Sequence, residues 1–414
     1  MMKKKFSLPV LVGGPPSSGT TLFSVLLDSI PGVFCGPELG IFSHACLYSS
    51  NFHRSAENYL AKLSRCEWQK NNAIENLKEG YCPYSLIDEG NLSYYNQNSE
   101  KIKNILKHSS SIECLFEHVF SAEIVKDSCL VAEKTPSNLY AFKSYLDYND
   151  QAKVIVLIRD PRATISSLIR RGFSLRRATA IWLVEASVCA ELLPHPRALC
   201  IRYEDLVGDT RAVLSNLKRF LKIKVPLLDR DKISLNSKRV NLDPSIKSLS
   251  TWNLNPADEI STKAVEDWKS RLNDVQLGFI RDAKMLRRFS EDFSLPLKSL
   301  KDIAHIYGYD LPEVSCSQES MLELLIEQDM ICSEDQVYDD QIFHERYLDF
   351  DLTNYDPKIV GLLRRINFKH SENNNNRLNE LRSLREACCY WYAEHQKLNI
   401  KHNDLAASIE RMSR

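Results

Sequence analysis

Between Leu8 and Asp28 the chain reads LPVLVGGPPSSGTTLFSVLLD, and its polar residues are of the kind that hold an anion. Val10 to Val12 is a short apolar run, two glycines and two prolines break it, and Ser17, Ser18, Gly19, Thr20 and Thr21 follow. Leu22, Val25, Leu26 and Leu27 then recur at helical spacing. A strand that enters a helix through such a loop exposes unpaired N–H groups at the positive end of the helix dipole, which favours a phosphate-like group. The four hydroxyls add donors. Gly14 and Gly19 keep the glycine spacing of the ATP-binding phosphate loop, but Thr20 and Thr21 stand where that loop carries lysine and then Ser or Thr. Without a lysine for the outer phosphates, an anion loop for another nucleotide is expected. An atypical P-loop kinase and a plain Gly/Pro turn are the alternatives.

A second group of residues suits a second anion. Val154 to Ile158 is a β-branched apolar run of the type found in central parallel strands, and Arg159 follows it. Asp160 and Pro161 suit the cap and first turn of a helix. Ser167 and Arg171, four residues apart, share a face of that helix. A strand-end arginine joined by a serine and an arginine makes a seat for a doubly charged phosphate. Arg162, Arg170, Arg176 and Arg177 read equally well as an exposed basic face.

These residues need a scaffold. Val131 to Lys134 and Ala198 to Tyr203 read as further strands, and helices are expected from Pro161 to about Arg171, from Leu175 onward and from Thr210 to Leu221. Helical patterns also cover Ser55 to Lys78, Ser99 to Phe120 and Ser261 to Arg288, and Gly80 to Gly90 reads as a loop. The alternation of strand and helix predicts an α/β fold, a P-loop-type parallel sheet flanked by helices, with ligands at the carboxyl ends of its strands. Beyond Tyr307-Gly308-Tyr309-Asp310 the sequence turns acidic and helical without a strong strand, and Leu378 to Ile409 suggests one or two terminal helices. The expected division is residues 1–314, an α/β domain, and 315–414, a helical C-terminal extension.

Taken together, PPSSGTTLFSVLLD, AEKTPSNL, VIVLIRDPRATISSLIRRG and IRYEDLV resemble the PAPS-dependent sulfotransferases, nearest to the tyrosylprotein sulfotransferase-like and bacterial branch. The resemblance covers roughly residues 8 to 290. It implies that Ser17, Ser18, Gly19, Thr20 and Thr21 take the 5′-phosphosulfate of PAPS, and that Arg159, Ser167 and Arg171 take the 3′-phosphate. Tyr203 resembles another nucleotide contact, with a structural tyrosine as the competing reading. Lys263, in a loop before a helix, is a further candidate for the 3′-phosphate. Lys134 corresponds to a lysine near the scissile group, or else is a surface lysine. Glu38, just past the Gly36-Pro37 turn, resembles the glutamate that acts as general base in the tyrosyl branch, or else is a helix-start carboxylate. His44 is a weaker candidate, better read as a packed or surface histidine. Pro136 occupies the position where the small-molecule branch carries a catalytic histidine. Relatives usually have Lys or Arg where this chain has Ser17, so one positive charge facing the sulfonate is missing.

The expected activity is therefore transfer of a sulfonate from PAPS, with PAP as product, to a hydroxyl or less readily an amine of a small-molecule acceptor. Peptide tyrosine is the substrate variant, and a non-catalytic nucleotide- or partner-binding protein is the competing class. No metal is demanded by the residue pattern. With 54 basic and 54 acidic residues the chain carries no net charge, which gives no reason to expect nucleic acid. No run approaches the roughly 18–20 apolar residues of a membrane span. The basic start MMKKKFSLPVLVGG lacks a separate apolar segment, and the 12 cysteines sit mostly in apolar surroundings, as buried reduced thiols do. A cytoplasmic location is expected on these grounds.

Overall fold

A computed structural model of the chain describes residues 8–57, 59–60, 89–125, 128–223, 262–285, 298–314 and 348–350, together with 317, 320–321 and 323–325. Five strands form one parallel sheet in the order β2-β3-β1-β4-β5: β1 Val10–Gly13, β2 Val33–Cys35, β3 Leu130–Lys134, β4 Val154–Ile158 and β5 Ala198–Arg202. The first strand is central. The chain builds β2 and β3 on one side of it and β4 and β5 on the other, so the crevice at the carboxyl end of β1 is where such sheets take ligands. Val12 lies opposite Lys134, and Gly13 opposite Val156. The register thus brings the end of β1 beside the ends of β3 and β4, which lead into Thr135 and Arg159.

Two helices cover one face. Phe23, Leu26 and Leu27 of α1 (Thr20–Ser29) and Leu214, Leu217 and Leu221 of a second helix, Thr210–Leu221, share a core with Val10, Val12, Ile155 and Leu157. Alternate strand residues point to one face, which is why positions 10 and 12, and 155 and 157, belong to the same core. Burying each large apolar side chain contributes about 1.5–3 kcal/mol, so this layer holds α1 firmly on the sheet.

The expected helix over Ser99 to Phe120 divides into α2 (Ser99–His108) and α3 (Ile112–Val119). Ser111 breaks it by turning outward to cap α3, its side chain accepting from the Cys114 N–H. The helices after β4 and beyond Gly172 form as expected, as α4 (Pro161–Arg170) and α5 (Leu175–Ala190); α6 (Tyr203–Gly208) follows β5 directly, ahead of α7 (Thr210–Leu221). The helical pattern after residue 261 is not one helix. A short turn at Lys263–Glu266 and a 3-10 turn at Asp267–Ser270 precede α8 (Asp274–Asp282), whose capping box uses Asn273 and Gln276. The chain then becomes extended at β6 (Ala283–Met285), paired antiparallel with β7 (Leu348–Phe350), a strand the sequence reading does not foresee.

Contacts divide the chain into one unit of Met1–Phe173, Glu185–Arg271 and Ile306–Tyr309, and another of Ser174–Val184, Leu272–His305 and Asp310–Arg414. The five-stranded sheet lies in the first unit, and the β6–β7 pair in the second. Most of the expected segments at Ser55 to Lys78, Gly80 to Gly90 and Leu378 to Ile409 lie outside the described residues.

Candidate active site

The loop after β1 is fixed at both ends. The Gly14 N–H donates to the Pro136 carbonyl at 3.0 Å, and the Ser18 N–H to that of Pro15 at 3.2 Å. Ser17 adopts left-handed backbone angles with φ 64°, which turns the loop sharply into α1. Gly19 does the same with φ 87°, and any side chain there would meet the Tyr203 ring at 2.4 Å, so glycine is required twice over. The Ser18 hydroxyl is fully buried and has no hydrogen-bond partner among the described residues. An unpaired buried hydroxyl costs about 1–3 kcal/mol. Here it lies beside the first N–H groups of α1, so a bound anion would satisfy it together with them.

Two arginines converge on the same loop. Arg159 donates through Nη1 to the Ser17 carbonyl at 3.1 Å, and Arg171, at the end of α4, donates to the Ser17 hydroxyl at 3.0 Å. The Arg159 guanidinium lies 4.5 Å over the Tyr203 ring and also donates to the carbonyl of Ala264, next to Lys263. Burial lowers the Arg159 pKa, against the opposing pull of Tyr203, Glu204, Asp160 and Asp267, and burial likewise raises that of the Tyr203 phenol. Tyr203 is therefore a wedge between the loop and Arg159. Ser167 is half-buried on α4, one turn ahead of Arg171, and Lys263 is exposed. Of the four arginines that read equally well as an exposed basic face, Arg170 is exposed and Arg177 half-buried. Arg162 closes on Asp160 at 2.6 Å and stacks 4.2 Å from the Trp268 ring, and Arg176 is buried.

On the other side of the loop, Lys134 is 3% exposed in its side chain and so is no surface lysine. Its Nζ donates to Glu38 Oε1 at 2.5 Å and to the Thr21 hydroxyl at 3.4 Å. A buried ammonium needs a counter-charge, and Glu38 supplies it while keeping 27% of its own side chain exposed. Glu38 heads no helix, since it sits in an irregular segment between β2 and the 3-10 turn Ile41–Ser43. His44 lies between two 3-10 turns rather than along a helix, and it is buried with its ring 4.3 Å from that of Tyr59, as a packing histidine.

A family model described as Sulfotransferase family matches residues 9–226, more than half of the 414 residues. The chain belongs to this family. Among its relatives, Protein-tyrosine sulfotransferase A of Caenorhabditis elegans is 23% identical over 295 residues, covering 68% of this chain and 67% of the other. Protein-tyrosine sulfotransferase 1 of Danio rerio is 23% identical over 296 residues, covering 68% and 72%. The sulfotransferase domain of the Synechococcus PCC 7002 olefin synthase superposes with a TM-score of 0.46 at 20% identity, covering 75% of this chain and 98% of that one. The kinship with protein-tyrosine sulfotransferases overturns the expected cytoplasmic location, which rested on the amino-terminal pattern, the cysteines and the lack of a long apolar run. No helix among the described residues is long and apolar enough to cross a membrane, and that fact assigns no compartment.

Several residues that shape this candidate site carry no local sequence signal for the contacts they make. Trp268 under Arg162, Thr135 and Glu133 beneath the Glu38 segment, and Tyr95 beside Pro37 act across 58 to 106 positions of chain, as in the Tyr95–Pro37 bond or the Arg162–Trp268 stack. Only Glu133 and Thr135 stand inside a stretch, AEKTPSNL, that marks the family.

Proposed function

We propose that this sulfotransferase uses PAPS as its donor and a hydroxyl as its acceptor, with Glu38 as the general base. The observation that carries the reading is the bridge made by Lys134, which touches Glu38 on one side and Thr21 of the anion loop on the other. Base and donor loop are thereby within one side chain's reach of each other.

The residues suit a nucleotide phosphorylated at two places. Ser18 and Thr20 to Leu22, at the start of α1, would hold the phosphosulfate end, and Arg159, Ser167 and Arg171 the 3′-phosphate, with Tyr203 keeping Arg159 in place and Lys263 close by. The donor supplies a sulfonate whose sulfur takes the acceptor oxygen while a phosphate departs. Lys134 holds Oε1 of Glu38, which leaves Oε2 to receive the acceptor proton. The Lys134 charge faces the same point and stabilises negative charge that develops there. Ser17 brings no charge of its own, and its hydroxyl accepts from Arg171.

The names of the two sequence relatives favour a phenolic hydroxyl, and a tyrosine in a peptide is the first acceptor to test, with a small phenol or alcohol as the second. Calorimetry with PAP and with Mg-ATP tests the donor: PAP is expected to bind, and binding of Mg-ATP without PAP would overturn the reading. Release of PAP from PAPS in the presence of a tyrosine peptide or of tyramine tests the acceptor. Glu38→Gln is expected to lower kcat by about 10²–10⁴-fold, and an undiminished kcat would remove Glu38 as the base.

A further inference from the structure

Glu38 is held by its neighbours in the chain rather than by its own side chain alone. On its amino-terminal side, the buried Tyr95 hydroxyl donates to the Pro37 carbonyl at 2.7 Å. Gly36 permits this approach, because a Cβ there would come within 2.1 Å of the same hydroxyl. On its carboxyl-terminal side, the Thr135 hydroxyl accepts from the N–H groups of Leu39 at 3.2 Å and Gly40 at 3.0 Å. The same hydroxyl donates to Glu133 Oε1 at 2.7 Å. One donor and two lone pairs exhaust what a hydroxyl has, so its orientation is fully determined.

Glu133 is the anchor of this arrangement. It is buried, and Oε1 also accepts directly from the Leu39 N–H at 3.1 Å, while Oε2 accepts from Asn138 Nδ2 at 2.5 Å. Asn138 in turn donates to the Val12 carbonyl at 3.1 Å, at the end of the central strand. A buried carboxylate is costly unless its lone pairs are filled, and here the groups that fill them are those that hold the Glu38 segment.

We infer that Tyr95, Glu133 and Thr135 are positioning residues that clamp the backbone on both sides of Glu38 and so fix its carboxylate against Lys134. Among the described residues the hydroxyls of Thr135 and Tyr95 bond to Pro37, Leu39, Gly40 and Glu133, and the Thr135 N–H to Val12, rather than to Lys134 or the anion loop, so their loss would displace the base and spare the donor site. The inference rests on Glu38 being the base, and its test separates the two.

The variants are Thr135→Val, which keeps the shape but loses the hydroxyl, Thr135→Ser, which restores it, and Tyr95→Phe. Amide hydrogen exchange of residues 38–40 reads the clamp, kcat with PAPS and a tyrosine peptide reads the base, and calorimetry with PAP reads the donor site. Thr135→Val is expected to speed exchange of Gly40, more than that of Leu39, which keeps its bond to Glu133 Oε1, and to lower kcat, each by about five- to thirtyfold, with the PAP affinity within about twofold of the parent. Thr135→Ser is expected to return both to near the parent values, and Tyr95→Phe to lower kcat by about fivefold. Unchanged exchange in Thr135→Val overturns the clamp. Faster exchange with unchanged kcat, in a protein whose Glu38→Gln variant is impaired, overturns the positioning role and leaves the base standing. An equal loss of PAP affinity and kcat overturns it too, since it shows a general loss of structure. Full activity of Glu38→Gln would remove the base reading by itself, and exchange would still decide the clamp.

Discussion

The anion loop and the Glu38 segment face each other across Lys134, and they are built in opposite ways. The loop is the six consecutive residues from Gly14 to Gly19 between β1 and α1, and its shape follows from left-handed Ser17 and Gly19 and from the strand and helix on either side. The Glu38 segment has no regular structure, and its position comes from Tyr95, Glu133 and Thr135, which reach it across 58 to 96 residues of chain. A local motif takes its shape from its own backbone angles, even where Pro136, Arg159 and Arg171 brace it from outside. An irregular segment cannot do so, because each of its backbone groups must find a partner elsewhere in the fold. The difference predicts that the two sides can be damaged separately, one losing affinity for the nucleotide and the other losing turnover.

The largest effect belongs to the Glu38 side. With Glu38→Gln, kcat is expected to fall by about 10²–10⁴-fold while PAP titrates as in the parent protein, and a matching loss of PAP affinity would blur the division. On the loop side, Arg159→Ala removes a buried guanidinium that also braces Ser17 and Ala264. Calorimetry should show PAP binding weakened by about 10- to 150-fold, the equivalent of a charged hydrogen bond of about 1.5–3 kcal/mol. A loss confined to kcat would instead put Arg159 on the catalytic side.

A smaller effect sharpens the contrast. Ser18→Ala removes a buried hydroxyl that is unpaired among the described residues, so the variant should bind PAP about fivefold more weakly while its Tm stays level or rises. A lowered Tm together with unchanged affinity would show that the hydroxyl serves the fold and not the ligand. The smallest effect is on stability against pH. Burial raises the Glu133 pKa above the ordinary 4.5, with Glu38 adding to the rise and the hydrogen bonds from Asn138, Thr135 and Leu39 opposing it. A carboxyl whose pKa is higher in the folded chain binds more protons there than when unfolded. Its contribution to stability is therefore complete below 4.5 and is lost as the pH climbs through the raised folded value. Denaturant unfolding from pH 4 upward should show that decline in the parent, and Glu133→Gln should flatten it. Equal slopes in the two proteins would mean that Glu133 is charged in both states with the same ease.

Much of the site on the loop side could be read directly. The run from Val10 to Leu27 carries its own strand, turn and helix signals, and Val154 to Ile158 followed by Arg159-Asp160-Pro161 carries another set, so both appear within a residue or two of where the pattern puts them. Glu38 and Lys134 were found through a resemblance, since nothing in their local spacing says that they touch. Helical periodicity misled where a cap intervened, at Ser111 and at Asn273, and it gave no sign of the β6–β7 pair, because three-residue strands have too little alternation to detect.

By itself the sequence determined the parallel α/β plan, the two strand–loop–helix elements proposed to hold anions, and the family, because each depends on residues close together in the chain whose backbone preferences agree. The tertiary structure decided the rest. It made Lys134 a buried bridge rather than a surface charge, turned Arg162 from a free cation into a partner of Asp160 and Trp268, and set Arg171 against Ser17. It also supplied the hydrogen bonds that fix Glu38, which exist only once β3 and the segment after β2 lie side by side.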